Sequence, residues 1–120
     1  MTDPSVLIVD DDADTRELLE LMLQRASYTV VSATNGQDAL DVLRTIRPEM
    51  ILLDIQMPIM DGAEFRQAQR LDHELMRIPT VVMTGSKEEP FLDLAVAETL
   101  CKPFRAAQLL ALVGRFCKRR

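Results

Sequence analysis

The chain has 120 residues, 48% of them hydrophobic and 28% charged, with a formal charge of −5 at neutral pH. That length suits one domain with a real core and is short for two, and the composition is that of a globular protein and not of a disordered chain. The acidic balance, with no basic stripe to offset it, argues against direct nucleic-acid binding. No apolar run is long enough to span a bilayer, and the N-terminus lacks a secretory pattern, so the expectation is a cytoplasmic protein without membrane insertion.

Val6-Leu7-Ile8-Val9 is an apolar, β-branched run, hence a strand, and it ends in Asp10-Asp11-Asp12. Residues 13–25 then show helical spacing, Leu18 with Met22 and Leu19 with Leu23, with Asp12 placed as N-cap. Tyr28 to Ser32 predicts a second strand. Thr34-Asn35-Gly36-Gln37 has the form of a capping box, and Ala39, Leu40, Leu43 and Ile46 give the next helix its stripe, stopped by Pro48. Met50 to Leu53 is a continuously apolar strand running into Asp54, followed by a loop with Pro58 and Gly62. A third helix is expected from about Ala63 to Leu75, and a fourth strand over Thr80–Met83 that ends at Thr84-Gly85. Residues 86–97 are ambiguous because Pro90 lies inside them. Thr99-Leu100-Cys101 predicts a short fifth strand ending at Lys102-Pro103, and Phe104 to Phe116 a last helix. Strand–helix alternation of this kind implies one parallel sheet covered on both faces, with 1–120 as a single domain. Cys101 and Cys117 lack metal-ligand spacing and read as buried free thiols. Lys118-Arg119-Arg120 reads as a solvated helix end.

Four of the five strands end in a polar residue. In a parallel sheet the strand C-termini share one edge, where ligands bind, so Asp10, Asp11, Asp54, Thr84 and Lys102 are expected in one pocket. Taken singly, Asp10 and Asp11 could be helix caps, Thr84 a turn residue and Lys102 a surface lysine. Together they put three carboxylates close enough to repel, and one lysine does not balance them. Hard oxygen ligands with room for water suit Mg²⁺, which commonly takes one or two carboxylates plus phosphate oxygens. The set therefore reads as a divalent-ion site (Mg²⁺ or Mn²⁺) that accepts a phosphoryl group on Asp54, with Thr84 and Lys102 holding phosphoryl oxygens. Asp10-x-Asp12-x-Asp14 fails as an EF-hand loop, since the required glycine is Thr15 and the required glutamate is Leu21. No P-loop or dinucleotide fingerprint is present. The lone His73 reads as exposed.

These residues resemble the receiver domain of two-component response regulators. The motifs are Val-Asp-Asp after the first strand, Asp-x-x-Met-Pro-x-Met-Asp-Gly at 54–62, Thr84-Gly85 and Lys102-Pro103-Phe104. The resemblance implies a doubly wound, flavodoxin-like sheet of order 2-1-3-4-5. It implies that Asp54 takes phosphate from a phosphohistidine of a sensor kinase or phosphotransfer protein. Asp11, Asp54 and the Gln56 backbone carbonyl would ligate Mg²⁺, with Asp10 acting largely through water. The resemblance also implies that Gln56 and Ser86 occupy positions that, in the family, influence phosphoryl lifetime. Two departures stand out. The Thr84–Lys102 segment is about one helical turn short for the family, so the fourth helix is expected to be short or irregular. Thr99 stands where an aromatic residue is usual, so phosphorylation is expected to order or shift 85–97 without an aromatic relay. Thr15, Leu18 and Met22 on the first helix, with Pro103, are the expected partner contacts, and Leu21 is left over by a stripe of Leu18, Leu19, Met22 and Leu23. Two rival readings remain: a receiver-like interaction module that does not use phosphate, and an aspartyl-intermediate hydrolase. The second would want an acid at 56, where the chain has Gln56. With no effector segment after the last helix, the chain reads as a stand-alone receiver or a piece of a longer protein.

Overall fold

The structure is a computed structural model that describes residues 3–85 and 96–118. The strands are β1 (Val6–Val9), β2 (Val30–Ala33), β3 (Met50–Asp54), β4 (Thr80–Thr84) and β5 (Glu98–Cys101). They form one parallel sheet in the order β2-β1-β3-β4-β5. The helices are α1 (Ala13–Arg25), α2 (Gly36–Val42), α3 (Gly62–Arg70) and α4 (Ala106–Phe116), and a short 3₁₀ turn covers Leu75–Arg77. The helix expected between the fourth and fifth strands falls mostly on 86–95, as does Ser86, outside the described residues.

The sheet is covered on both faces because its central strands carry buried apolar side chains pointing to both sides. In β1, Val6 and Ile8 point to one side and Leu7 and Val9 to the other, all fully buried. On the first side they meet Leu19 and Leu23 of α1 and Leu109, Leu112 and Val113 of α4. On the second they meet Ala39 of α2, Leu43 just beyond it, and Phe65 of α3, with Leu75 and Ile78 from the following turn.

Several boundaries differ from the sequence reading. The α2 cap is Asn35, not Thr34: the Asn35 side chain accepts from the Asp38 N–H at 2.9 Å, and the Asp38 carboxylate accepts from the Thr34 N–H at 2.9 Å. The cap is thus shifted by one residue, since asparagine is the better cap, and Asp38 takes the Thr34 N–H before the cap, so the expected reciprocal box does not close. The helix also ends at Val42, well short of Pro48. α3 begins at Gly62 behind a reciprocal box between Asp61 and Glu64, and stops at Arg70. Asp72 ends that stretch by accepting the N–H groups of Glu74 and Leu75 at 2.9 and 3.1 Å. Beneath α3, Gln69 is wholly buried. Its amide donates to the carbonyls of Leu75 and Ile78 and to the Thr80 hydroxyl, while its own oxygen accepts from Arg66 at 2.7 Å. On α1 the buried pair is Leu19 and Leu23, with Met22 half-buried. Leu18 is 58% exposed, so it belongs to the outer surface with Leu21 and not to the core stripe. Asp12 sits at the α1 N-cap position, but its carboxylate accepts from the Thr15 hydroxyl at 2.6 Å and makes no cap bond to the helix backbone. Cys117 is buried and Cys101 half-buried, both as free thiols, and His73 is exposed.

Candidate functional site

The parallel register sets the site. Val9 lies beside Leu53 and Asp54 beside Met83, while Thr84 pairs with Cys101, so the chain leaves all four strands at one edge. Asp10 and Asp11 follow β1, Asp54 closes β3, Thr84 closes β4, and Lys102 follows β5. One carboxylate oxygen from each of Asp10, Asp11 and Asp54 lies within 4.8 Å of the others. Lys102 reaches into this group from across the sheet. Its Nζ is 3.2 Å from Asp10 Oδ2 and 3.7 Å from Asp54 Oδ1. The Lys102 N–H donates to the Thr84 carbonyl at 2.7 Å, which ties the lysine to the end of β4. The Lys102–Pro103 peptide that follows is cis. Thr84 is buried at this edge. All five residues expected to share a pocket are therefore placed at one edge, with the three acids clustered and Lys102 within reach of Asp10 and Asp54.

The three acids differ in surroundings. Asp10 is fully buried, and its Oδ1 accepts from the Asp12 N–H at 3.0 Å. Asp11 is exposed. Asp54 is half-buried, and desolvation first, then the neighbouring Asp10 charge, pushes its carboxyl up to about 6, with Lys102 pulling the other way. That is the behaviour of an acid cluster one cation short. The donor set is three hard carboxylate oxygens, one of them facing water, which fits a hard divalent ion of the Mg²⁺ kind.

The loop after β3 is folded back over the strand. Gly62 N–H donates to the Ile55 carbonyl at 2.8 Å, and a Cβ at Gly62 would come within 2.7 Å of the Asp54 carbonyl oxygen. Gly36, at the start of α2, donates to the Met60 carbonyl at 2.9 Å. Gln56 is exposed on this loop, two residues after Asp54. Ile59 is 82% exposed and holds a backbone φ of 69°, a conformation that β-branched residues rarely adopt. On the other flank, Thr15, Leu18 and Met22 of α1 line one surface cavity of about 480 Å³ together with Lys102, Pro103 and Phe104. Thr99 is exposed on β5. Sequence reasoning missed Arg16, whose guanidinium donates to the Asp10 carbonyl at 2.7 Å. A contact between a side chain and a backbone carbonyl six residues back leaves no spacing signal to find.

A doubly wound parallel sheet with an acidic pocket at the C-terminal edge of its strands is a flavodoxin-like architecture with its ligand site at the usual edge. Residues 6–114 match the response regulator receiver domain family, and the chain belongs to it. The chain is 31% identical over 119 residues to the alkaline phosphatase synthesis transcriptional regulatory protein PhoP of Bacillus subtilis, covering 95% of this chain and 48% of that protein. Among solved structures it is similar to a CheY-like receiver domain protein from Methanospirillum hungatei, at 32% identity and a TM-score of 0.84 over 94% of this chain and 93% of that one. It is likewise similar to the chemotaxis protein CheY4 of Vibrio cholerae, at 30% identity and a TM-score of 0.85 over 96% and 99% of the two chains. The chain spans about half the length of the curated relatives it matches. Among the described residues, no helix is long and apolar enough to cross a membrane.

Proposed function

We propose that residues 1–120 act as one receiver domain in which Asp54 accepts a phosphoryl group from a phosphohistidine of a sensor kinase or phosphotransfer protein, catalysing only its own phosphorylation and dephosphorylation. The observation that carries this reading is the convergence of Asp10, Asp11, Asp54 and Lys102 at one sheet edge, with Asp54 Oδ1 3.7 Å from Lys102 Nζ. Asp54 is the nucleophile. One of its oxygens bonds to phosphorus as the phosphorus–nitrogen bond breaks, and the leaving imidazole keeps the electron pair. A carboxylate must be ionised to attack, and Lys102 favours that form against the burial that opposes it. Lys102 and the Thr84 hydroxyl would hold phosphoryl oxygens as the phosphoryl group passes to Asp54. Asp10, Asp11, Asp54 and the Gln56 carbonyl would hold Mg²⁺ (or Mn²⁺), Asp10 largely through water, and the bound ion would neutralise the acids and the incoming phosphoryl group. The reading carries a cytoplasmic location, where kinase domains and Mg²⁺ are available.

The decisive test is incubation with Mg²⁺ and acetyl phosphate, with wild type and Asp54→Asn compared by intact mass. The expected result is a phosphoryl adduct on the wild type alone. No adduct on either would favour a pure interaction module, and steady release of phosphate a hydrolase. Docking of the donor on Thr15, Leu18, Met22 and Pro103 is supported by their shared cavity wall beside Lys102. Substituting them should slow transfer from a phosphohistidine protein while sparing acetyl phosphate, and equal loss with both donors would refute that surface.

A further inference from the structure

We infer that Arg16 is a positioning residue for the acidic pocket: it clamps the Asp10 carbonyl and thereby fixes the direction in which Asp11 leaves the backbone. The inference rests on the divalent-ion reading above. Asp10 is held at every polar group. Its N–H donates to the Ala33 carbonyl at 3.1 Å, its Oδ1 accepts from the Asp12 N–H at 3.0 Å, and its Oδ2 accepts from Lys102 at 3.2 Å. The remaining group, the carbonyl, accepts from Arg16 Nη1 at 2.7 Å. Asp11 is different: its carboxylate has no hydrogen-bond partner among the described residues. With no side-chain partner to hold it, its reach toward the other two acids depends on the backbone from which it leaves and on its own rotamer. The Asp10 carbonyl and the Asp11 N–H share one rigid peptide plane, so a donor that fixes the first fixes the second. Arg16 suits the task because it is half-buried near the start of α1, with its guanidinium on the Asp10 carbonyl. Its planar fork also has a defined direction, which a lysine ammonium lacks.

A rival role for Arg16 is charge compensation of the three acids. The geometry speaks against it, since the guanidinium donates to a carbonyl and Lys102 is the cation that opposes the raised pKa of Asp54. The two roles also predict opposite signs. Removing a nearby cation strengthens divalent-ion binding through Coulomb attraction alone. Removing a positioning group weakens it, and outer-shell partners of metal ligands are typically worth 10–100-fold in affinity.

The test is calorimetric titration of Mg²⁺ into the full chain, as wild type, R16Q, R16M and R16K. Two neutral variants guard against one failing to fold, which thermal unfolding in EDTA checks. The expected result is a Mg²⁺ Kd raised about tenfold in R16Q and R16M, with R16K recovering part of the loss because one amine donor still reaches the carbonyl. The Asp11 and Asp12 amide resonances should shift in the neutral variants even without the ion. A Kd in the folded neutral variants that is unchanged or lower than wild type overturns the positioning role. A wild type that takes up no Mg²⁺ at all instead overturns the ion site itself, and the inference with it.

Discussion

Asp54 carries two opposed demands. In its proposed role it must be ionised to attack, yet its surroundings raise its pKa from 3.8 to about 6. In the folded chain it keeps its proton to a higher pH than in the unfolded chain. Its contribution to stability is therefore full below about 4 and is lost as pH rises through about 6. The shift of roughly two units, discounted for partial exposure, corresponds to about 2 kcal/mol of strain in the ionised, ion-free protein. Asp54→Asn removes that charge. Urea unfolding in EDTA should find the variant more stable than wild type by about 2 kcal/mol near pH 7.5, with the difference fading near pH 4. A variant no more stable than wild type at the higher pH would contradict this account. The same imbalance makes the site responsive to a divalent ion or a phosphoryl group, because either one changes the charge that the acids must bear.

At the scale of elements, the device that matters is close backbone contact around the β3–α3 loop. A Cβ at Gly62 would lie 2.7 Å from the Asp54 carbonyl oxygen and 2.8 Å from Ile55 Cα, both main-chain atoms with no room to give. At Gly36 the nearest atom is Met60 Cγ at 2.6 Å, part of a flexible side chain, although the Met60 carbonyl follows at 2.9 Å. Gly62→Ala should therefore cost more stability than Gly36→Ala, with both in the range of about 1–3 kcal/mol or above, as chemical denaturation would measure. Equal costs would mean that the loop yields as easily as a methionine side chain. The sequence made Gly62 visible as a turn residue and the strand-end acids visible as a set, because a short apolar run stopping at a charge is legible without coordinates. It could not reveal the Gln69 network. A glutamine on an amphipathic helix looks like a surface residue until the chain turns back and brings the Leu75 and Ile78 carbonyls beneath it. The cap of α2 was misread for a related reason: Thr34 and Asn35 both suit an N-cap, and only the entry angle of the chain from β2 decides between them. On α1, Leu18 and Leu19 both fit a helical stripe, and the tilt of the helix on the sheet selected Leu19.

Across the whole molecule, the sheet separates two apolar layers that share no side chains among the described residues. Leu112 lies in the layer under α1 and α4, and Ile78 in the layer under α2 and α3. Leu112→Ala should cost about 2–5 kcal/mol and Ile78→Val about 0.5–1.5 kcal/mol. Because the sites have no common partner, the double variant should show their sum to within about 0.5 kcal/mol. A larger coupling energy would mean that the sheet transmits packing strain from one layer to the other. Stability within the fold is nonetheless uneven, and Ile59 marks the weak point. A β-branched residue held at φ 69° with its side chain in water gives back little for the strain it carries. The loop from 55 to 61 should therefore open more often than the strand it caps, and its amide protons should exchange with solvent through local opening, far ahead of those of β3. Glycine, which tolerates that backbone region, would close the gap: Ile59→Gly should slow exchange along the loop and leave the β3 rates unchanged. Ile59 in that sense governs how often the loop that carries the Gln56 carbonyl breathes, a rate adjustable at one position without replacing any side chain of the acidic pocket.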